Sequence, residues 1–280
     1  MVSDRLPEPI ETGGEKRMKS NRKTLSSKWL KTRIAEKSAS LRPHVPETKR
    51  WGRSSFEGML RRHGLVYVKP TNGSCGVGVM RAELRRRTGA VDVQSGTTRV
   101  RLASPREAYG WIERRKPAKP YLVQQGIRVL RKEGRPIDFR VVIQRNGARE
   151  WEVSGMLARV ASPGKAVTNG SQGGSIYSAD DVLAEQAGKS EAARIAAGFE
   201  RLARETARQF ALSYPRMNEL GLDIAVDKRL RSWILEVNTK PDPRPFALLD
   251  DPSMLQKILE LAKGYGRICD MTVRKAKKGR

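Results

Sequence analysis

Residues 138–160, DFRVVIQRNGAREWEVSGMLARV, constrain the fold more than any other segment. They read as two long strands joined at Asn146-Gly147, the strongest hairpin signal in the chain. GLDIAVD and SWILEVN make a second strand pair, and LVYVKP leads through TNGSCG into the strand VGVMR. Helices are expected from about residue 28 to 38 behind Ser26-Ser27, with Trp29, Leu30, Ile34 and Ala35 on one face. Others are expected near 54–63, behind Ser104 with Pro105 in the first turn, over 180–212 without a break, and near 246–263. Antiparallel pairs with few βαβ units make the class α+β.

Within the second strand pair, alternation groups Leu222, Ile224 and Val226 on one face and Asp223, Ala225 and Asp227 on the other. In the partner strand Trp233, Leu235 and Val237 share a face, opposed by Ile234, Glu236 and Asn238. A four-residue turn at 228–231 then sets Asp223 directly opposite Glu236. Like charges so placed are destabilising unless a cation lies between them, and Cβ atoms roughly 5 Å apart leave room for one. Asn238 adds a neutral oxygen on the same face. The alternative is a solvated face with Lys228 or Lys240 neutralising the acids.

Two further segments bear on a nucleotide site. After Lys69, the glycines Gly73, Gly76 and Gly78 with Ser74 can bring backbone N–H groups to phosphate oxygens; a plain glycine-rich hairpin is the alternative. Asp138 and Arg140 share a strand face, where the guanidinium could clamp a phosphoryl group or simply pair with the acid.

Composition narrows the chemistry. With two histidines and two distant cysteines in 280 residues, zinc sites, disulfide frameworks and Ser-His-Asp catalysis fall away, and a metal would be held by oxygen. A formal charge of +26 attracts polyanions, nucleic acid among them, without sequence preference. No run is apolar enough for a membrane span and no signal-peptide core is seen, so a cytoplasmic location is expected.

In this order, KPTNGSCGVGV, YLVQQGI, DFRVVI, TNGSQGG and LDIAVD…WILEVNTKP resemble an ATP-grasp protein of the spore-coat-associated YheC/YheD group, over about residues 28 to 263. The resemblance implies two α+β lobes, with mainly antiparallel sheets, clasping ATP. The expected organisation is a disordered basic arm at 1–25, the ATP-grasp domain at 26–265 and a basic tail at 266–280. Within the domain, about 65–125 form the glycine-loop lobe and 126–265 the metal-binding lobe.

The resemblance further implies that Lys69 touches the α- and β-phosphates, with Gly73, Ser74, Gly76 and Gly78 over β and γ. Lys28 would be the early ATP-contacting lysine, and Gln124, Gln125 and Ile127 the adenine hinge. Asp223, Glu236 and Asn238 would hold one or two magnesium (or manganese) ions. Arg140 would meet the γ-phosphate, Arg159 and Asn169 would lie near the acceptor, and Lys240 is carried toward the same side. Where many members place an acid the hinge has Gln125, and Glu133 is the nearest ribose-binding acid.

The implied activity is ligation of a carboxylate to an amine, thiol or hydroxyl through an acylphosphate, on a small molecule, a peptide or a cell-envelope or spore precursor. Only a short basic arm is expected before the fold where most such ligases carry a substrate-binding domain, so the carboxylate site is expected either to be incomplete or to be completed by a spore-coat or substrate-supplying partner. The alternatives are an ATP-binding coat scaffold with little catalysis and a basic polyanion- or nucleic-acid-binding protein.

Overall fold

A computed structural model describes residues 26–73, 76–164 and 174–272 and the backbone of 277–278. Two sheets organise it. The first is six-stranded, in the order β1-β6-β2-β3-β4-β5, formed by β1 (Thr48–Arg50), β2 (Leu65–Pro70), β3 (Met80–Leu84), β4 (Val91–Ser95), β5 (Thr98–Leu102) and β6 (Tyr121–Gln125), every pairing antiparallel. Helices α2 (Arg53–His63) and α3 (Pro105–Arg115) cover one face through Phe56, Met59, Leu60, Trp111 and Ile112. Ser104 caps α3, its hydroxyl accepting from Glu107 N at 3.2 Å, with Pro105 in the first turn as the sequence predicts.

The second sheet carries β8 (Arg135–Arg145), β9 (Trp151–Val160), β10 (Ser175–Ser178), β11 (Glu219–Val226) and β12 (Ser232–Asn238), in the order β12-β11-β8-β9-β10. These pairings are antiparallel. The short β7 (Arg131–Lys132) folds back on β8, and β13 (Lys277–Lys278), within the expected tail, adds a parallel edge to β10. Helices α4 (Ala179–Ala187) and α5 (Lys189–Ser213) close one face, with Phe139 and Phe199 rings 5.1 Å apart in the main core. Helix α6 (Ser253–Gly264) closes the other over Val142, Leu157 and Phe246. Helix α1 (Lys28–Ala35) packs on α5 and β12.

Several local expectations change. The helix expected unbroken over 180–212 is two helices, because Gly188 at φ 80° turns the chain between them. The helix expected from 246 begins at Ser253, after Pro252, and residues 244–248 form a 3₁₀ turn. The β8–β9 hairpin does not turn on Asn146-Gly147 alone. Its strands pair at Arg145 and Trp151, Asn146 Oδ1 accepts from Glu150 N at 2.9 Å, and the left-handed residue is Arg149 at φ 63°. On α1 the buried residues are Lys31, Ile34 and Ala35, whereas Trp29 is half-buried beneath the guanidinium groups of Arg33 and Arg50. The region 1–25 lies outside the described residues.

Candidate active site

The β11–β12 pair carries the acids. Asp223 lies opposite Glu236, as the alternation predicts, but by a different route. The turn is one residue tighter than expected: Asp227 Oδ1 accepts from Arg229 N and Arg231 N, and Leu230 takes φ 59°. A bulge beside Asp223 then restores the pairing and swaps the faces beyond it. Ile234 and Val237 join Leu222 and Ile224 in the core, and Trp233 pairs with Ala225 on the opposite face.

β8 and β9 bring the arginines. Arg140 is the register partner of Asp223, and its Nε donates to Asp223 Oδ1 at 2.7 Å. Arg159 faces Asp138 and donates to both of its carboxylate oxygens, at 2.6 and 2.8 Å, while its Nη2 lies 3.1 Å from Asp223 Oδ2. Asp138 therefore pairs with Arg159, not with its strand neighbour Arg140. This ladder crosses three adjacent strands, and no side chain in it is more than 11% exposed. Burial alone would raise the pKa of Asp223, but Arg140 and Arg159 overcome it and hold the carboxyl well below the usual carboxylate range. Burial opposes the charge on Arg159 too, and Asp138 and Asp223 more than restore it.

Lysines arrive from two other elements. Ser27 caps α1, and in its first turn Lys28 Nζ contacts Glu236 Oε1. One turn on, Lys31 is 7% exposed and lines the same cleft as Lys28. Burial lowers its pKa against the pull of Glu236. From β2, Lys69 Nζ donates to Gln124 Oε1 at 2.6 Å and sits 5.6 Å from the centre of the Tyr67 ring. Burial pushes the Lys69 ammonium down to about 8, resisted mainly by Glu236. All three lysines line one cleft with Gln124, Leu122 and Glu236.

Beyond Lys69, the loop joining β2 to β3 has Gly73, Gly76 and Gly78 at φ 135°, 69° and 76°. A Cβ on Gly78 would fall 2.8 Å from Tyr121 Oη, so the loop is built for glycine there. Ser74 and Asn169 lie outside the described residues. At the end of β6 Gln124 and Ile127 are buried, and Gln125 turns its Oε1 toward Glu47 N at 3.2 Å. Glu133 occupies the β7–β8 turn and pairs with Arg135. Lys240 is exposed in the turn after β12.

Sequence reasoning missed Lys31, although its i, i+3 spacing from Lys28 in KWLK places both on one helical face. Five cations (Lys28, Lys31, Lys69, Arg140, Arg159) here face three carboxylates (Asp138, Asp223, Glu236), an excess that suits a polyanionic ligand. A metal ion on the same face would share these carboxylates with the cations that already pair with them. Among the described residues no group of three or more histidines, cysteines, aspartates or glutamates is placed to hold a metal ion, so the donors would be Asp223, Glu236 and the amide of Asn238. The unpartnered buried Nδ2 of that amide is a donor that suits an anionic oxygen, whereas a hard cation that keeps water and phosphate ligands would take the amide oxygen together with the two carboxylates.

A family model, YheC/D like ATP-grasp, matches residues 18–279. The chain belongs to that family. The match takes in part of the expected arm and nearly all of the expected tail. The endospore coat-associated protein YheD of Bacillus subtilis (strain 168) is 22% identical over 225 residues, 78% of this chain and 49% of YheD. YheC of the same organism is 24% identical over 219 residues, 78% of this chain and 60% of YheC. The chain thus spans about half to three-fifths of the curated relatives it matches. Among solved structures, D-cycloserine synthetase DcsG shares the ATP-grasp fold at TM-score 0.53 and 13% identity, over 89% of this chain and 72% of DcsG. N5-carboxyaminoimidazole synthase from Aspergillus clavatus, solved with ADP and 5-aminoimidazole ribonucleotide, matches at TM-score 0.50 and 9% identity, over 92% of this chain and 55% of its own.

Proposed function

We propose that the chain binds ATP with magnesium or manganese in the cleft between its sheets and joins a carboxylate to an amine. The observation that carries this reading is the meeting of Lys28, Lys31 and Lys69 on the Asp223–Glu236 face, beside a loop whose glycines hold positive φ. Lysine ammonium groups on mobile stems act as point charges along a polyphosphate, and the glycine backbone can close over its far end. Gln124 orients Lys69, and Thr48 in turn fixes Gln124 by accepting from its Nε2 at 3.2 Å. Gln124, Gln125 and Ile127 would form the adenine hinge.

Asp223, Glu236 and Asn238 would hold the metal, which when bound neutralises charge on the transferred phosphoryl group. Arg140, which leaves a nitrogen of its fork beyond the Nε bond to Asp223, would reach the γ-phosphate. Arg159, enclosed by Asp138 and Asp223, would position Asp223. The carboxylate takes the γ-phosphoryl group and ADP departs; the amine then displaces phosphate as the amide bond forms. Association with a spore coat, the property named for YheD and YheC, is proposed for this chain by the same family link.

Calorimetry tests the binding step. Magnesium-ATP should bind the wild type and lose at least tenfold in affinity in Glu236→Gln combined with Asn238→Ala, two polar groups of charge-assisted strength. Equal binding by both proteins refutes the metal face. Screening amino acids in pairs for ATP-dependent phosphate release then tests ligation; release that no carboxylate raises above background refutes it.

A further inference from the structure

A second, larger groove lies on the second-sheet lobe and shares no lining residue with the nucleotide cleft. It encloses about 700 Å³ between α5 on one side and residues 40–44 with the β11–β12 turn on the other. Six arginines line it: Arg194, Arg201, Arg204 and Arg208 from α5, and Arg229 and Arg231 from the turn. Glu205 is the lining carboxylate, and it already accepts from Ser38 Oγ at 2.9 Å.

The arginines divide into two sets. Arg204 donates to Trp151 O, Arg231 donates to Pro43 O and lies 4.1 Å from the centre of the Trp233 ring, and Arg194 pairs with Glu191. By contrast, the guanidinium groups of Arg201, Arg208 and Arg229 make no hydrogen bond or ion pair among the described residues, and all three residues are exposed. Six like charges brought to one groove repel one another, which favours an anion that lies along it.

We propose that this groove binds the phosphodiester backbone of a nucleic acid. From Arg194 to Arg208 the helix rises about 21 Å, the span of roughly six phosphates of one duplex strand. Arginine forks match phosphate oxygens two at a time. An acidic protein segment fits less well, because protein docking relies on apolar or aromatic anchors, and Leu41, Ile195 and Leu202 in this groove are themselves buried. The net charge of +26 supplies long-range attraction of the same sign. The contacts are to backbone, so no sequence preference is expected.

Fluorescence anisotropy of the full chain with a short labelled duplex DNA tests this. Arg201→Gln, Arg208→Gln and Arg229→Gln together should weaken binding roughly tenfold or more and lower the salt slope by about 2 to 3. A control with equal loss of charge on the other lobe, Arg86→Gln, Arg87→Gln and Arg106→Gln, should change the slope by less than about 1. Arg229→Gln alone leaves α5 untouched and should lower the slope by about 1, which keeps the test valid if the triple variant is less stable. Excess magnesium-ATP should leave DNA binding unchanged. Equal losses in the groove and control variants, displacement of DNA by ATP, or preferential binding of polyglutamate at the groove would each overturn the proposal. The outcome is independent of the nucleotide reading, which Arg201, Arg208 and Arg229 do not enter.

Discussion

Replacing Lys69 with Met should change how stability depends on pH, with a magnitude that follows from its surroundings. The ammonium titrates near 8 in the folded chain against 10.5 as its ordinary value, because burial beside Tyr67 and Gln124 opposes the charge. Below 8 both folded and unfolded chains carry the proton, and the full cost of the buried charge is present. Between about 8 and 10.5 the unfolded chain binds more protons, so wild-type stability rises with pH. The full shift corresponds to about 3 kcal/mol. Lys69 is only half-buried, and screening through its opening to the cleft reduces this to about 1–2 kcal/mol. Met removes that term and leaves Gln124 Oε1 without its donor, which costs about 1 kcal/mol at every pH. Urea unfolding of both proteins from pH 7 to 10.5, without nucleotide, reads the difference. The wild type should gain about 1–2 kcal/mol on the variant across that range. A gap that stays constant, or moves the other way, refutes the claim that Lys69 is held charged against its surroundings.

Lys31→Met should leave unfolding by urea unchanged or slightly improved, since a charge that burial disfavours is removed, while calorimetry shows roughly tenfold weaker ATP binding. Asp223→Asn should cost about 3–5 kcal/mol at neutral pH by leaving Arg140 and Arg159 short of a charge partner. Its wild-type contribution is present above the ordinary carboxylate range and is lost as the pH falls through the depressed folded value, so the gap in urea midpoints should close only in strong acid. Gly78→Ala meets both positive φ and Tyr121 Oη, and should cost about 1–3 kcal/mol together with a higher KM for ATP.

Much of the architecture was legible because alternation and turn chemistry act locally. LVYVKP, DFRVVIQ, GLDIAVD and SWILEVN could be strands on pattern alone, and the parity of the last two, with a four-residue turn between them, set Asp223 opposite Glu236. What was hidden depends on partners distant in sequence. Lys31 scores as a surface residue on any hydrophobicity scale, and only the folded cleft shows that α1 turns it inward over Glu236 in place of Trp29. The bulge beside Asp223 compensates a tight turn at 228–230, and two such offsetting changes leave no trace in the pattern. Arg159 and Asp138 are 21 residues apart in sequence and meet only because β8 and β9 pair in one register. The arginines on α5 form a groove only because the β11–β12 turn, distant in sequence, is set against them.

The ladder Arg140–Asp223–Arg159–Asp138 also bears on assembly of the sheet. It ties β8, β9 and β11 together through side chains that point to one face. A slip of one residue in any of these strands would turn its charged groups to the other face and strand their partners in a dry interior, at several kcal/mol for each orphaned ion. Apolar alternation penalises such a slip as well, but Val, Ile and Leu are interchangeable along β8 in a way that these charges are not. The four residues thus penalise misaligned pairing of β8, β9 and β11, whose native register is the one that gathers Asp138, Arg140, Arg159 and Asp223 on a single face, while the turn and bulge of β11–β12 bring Glu236 to it.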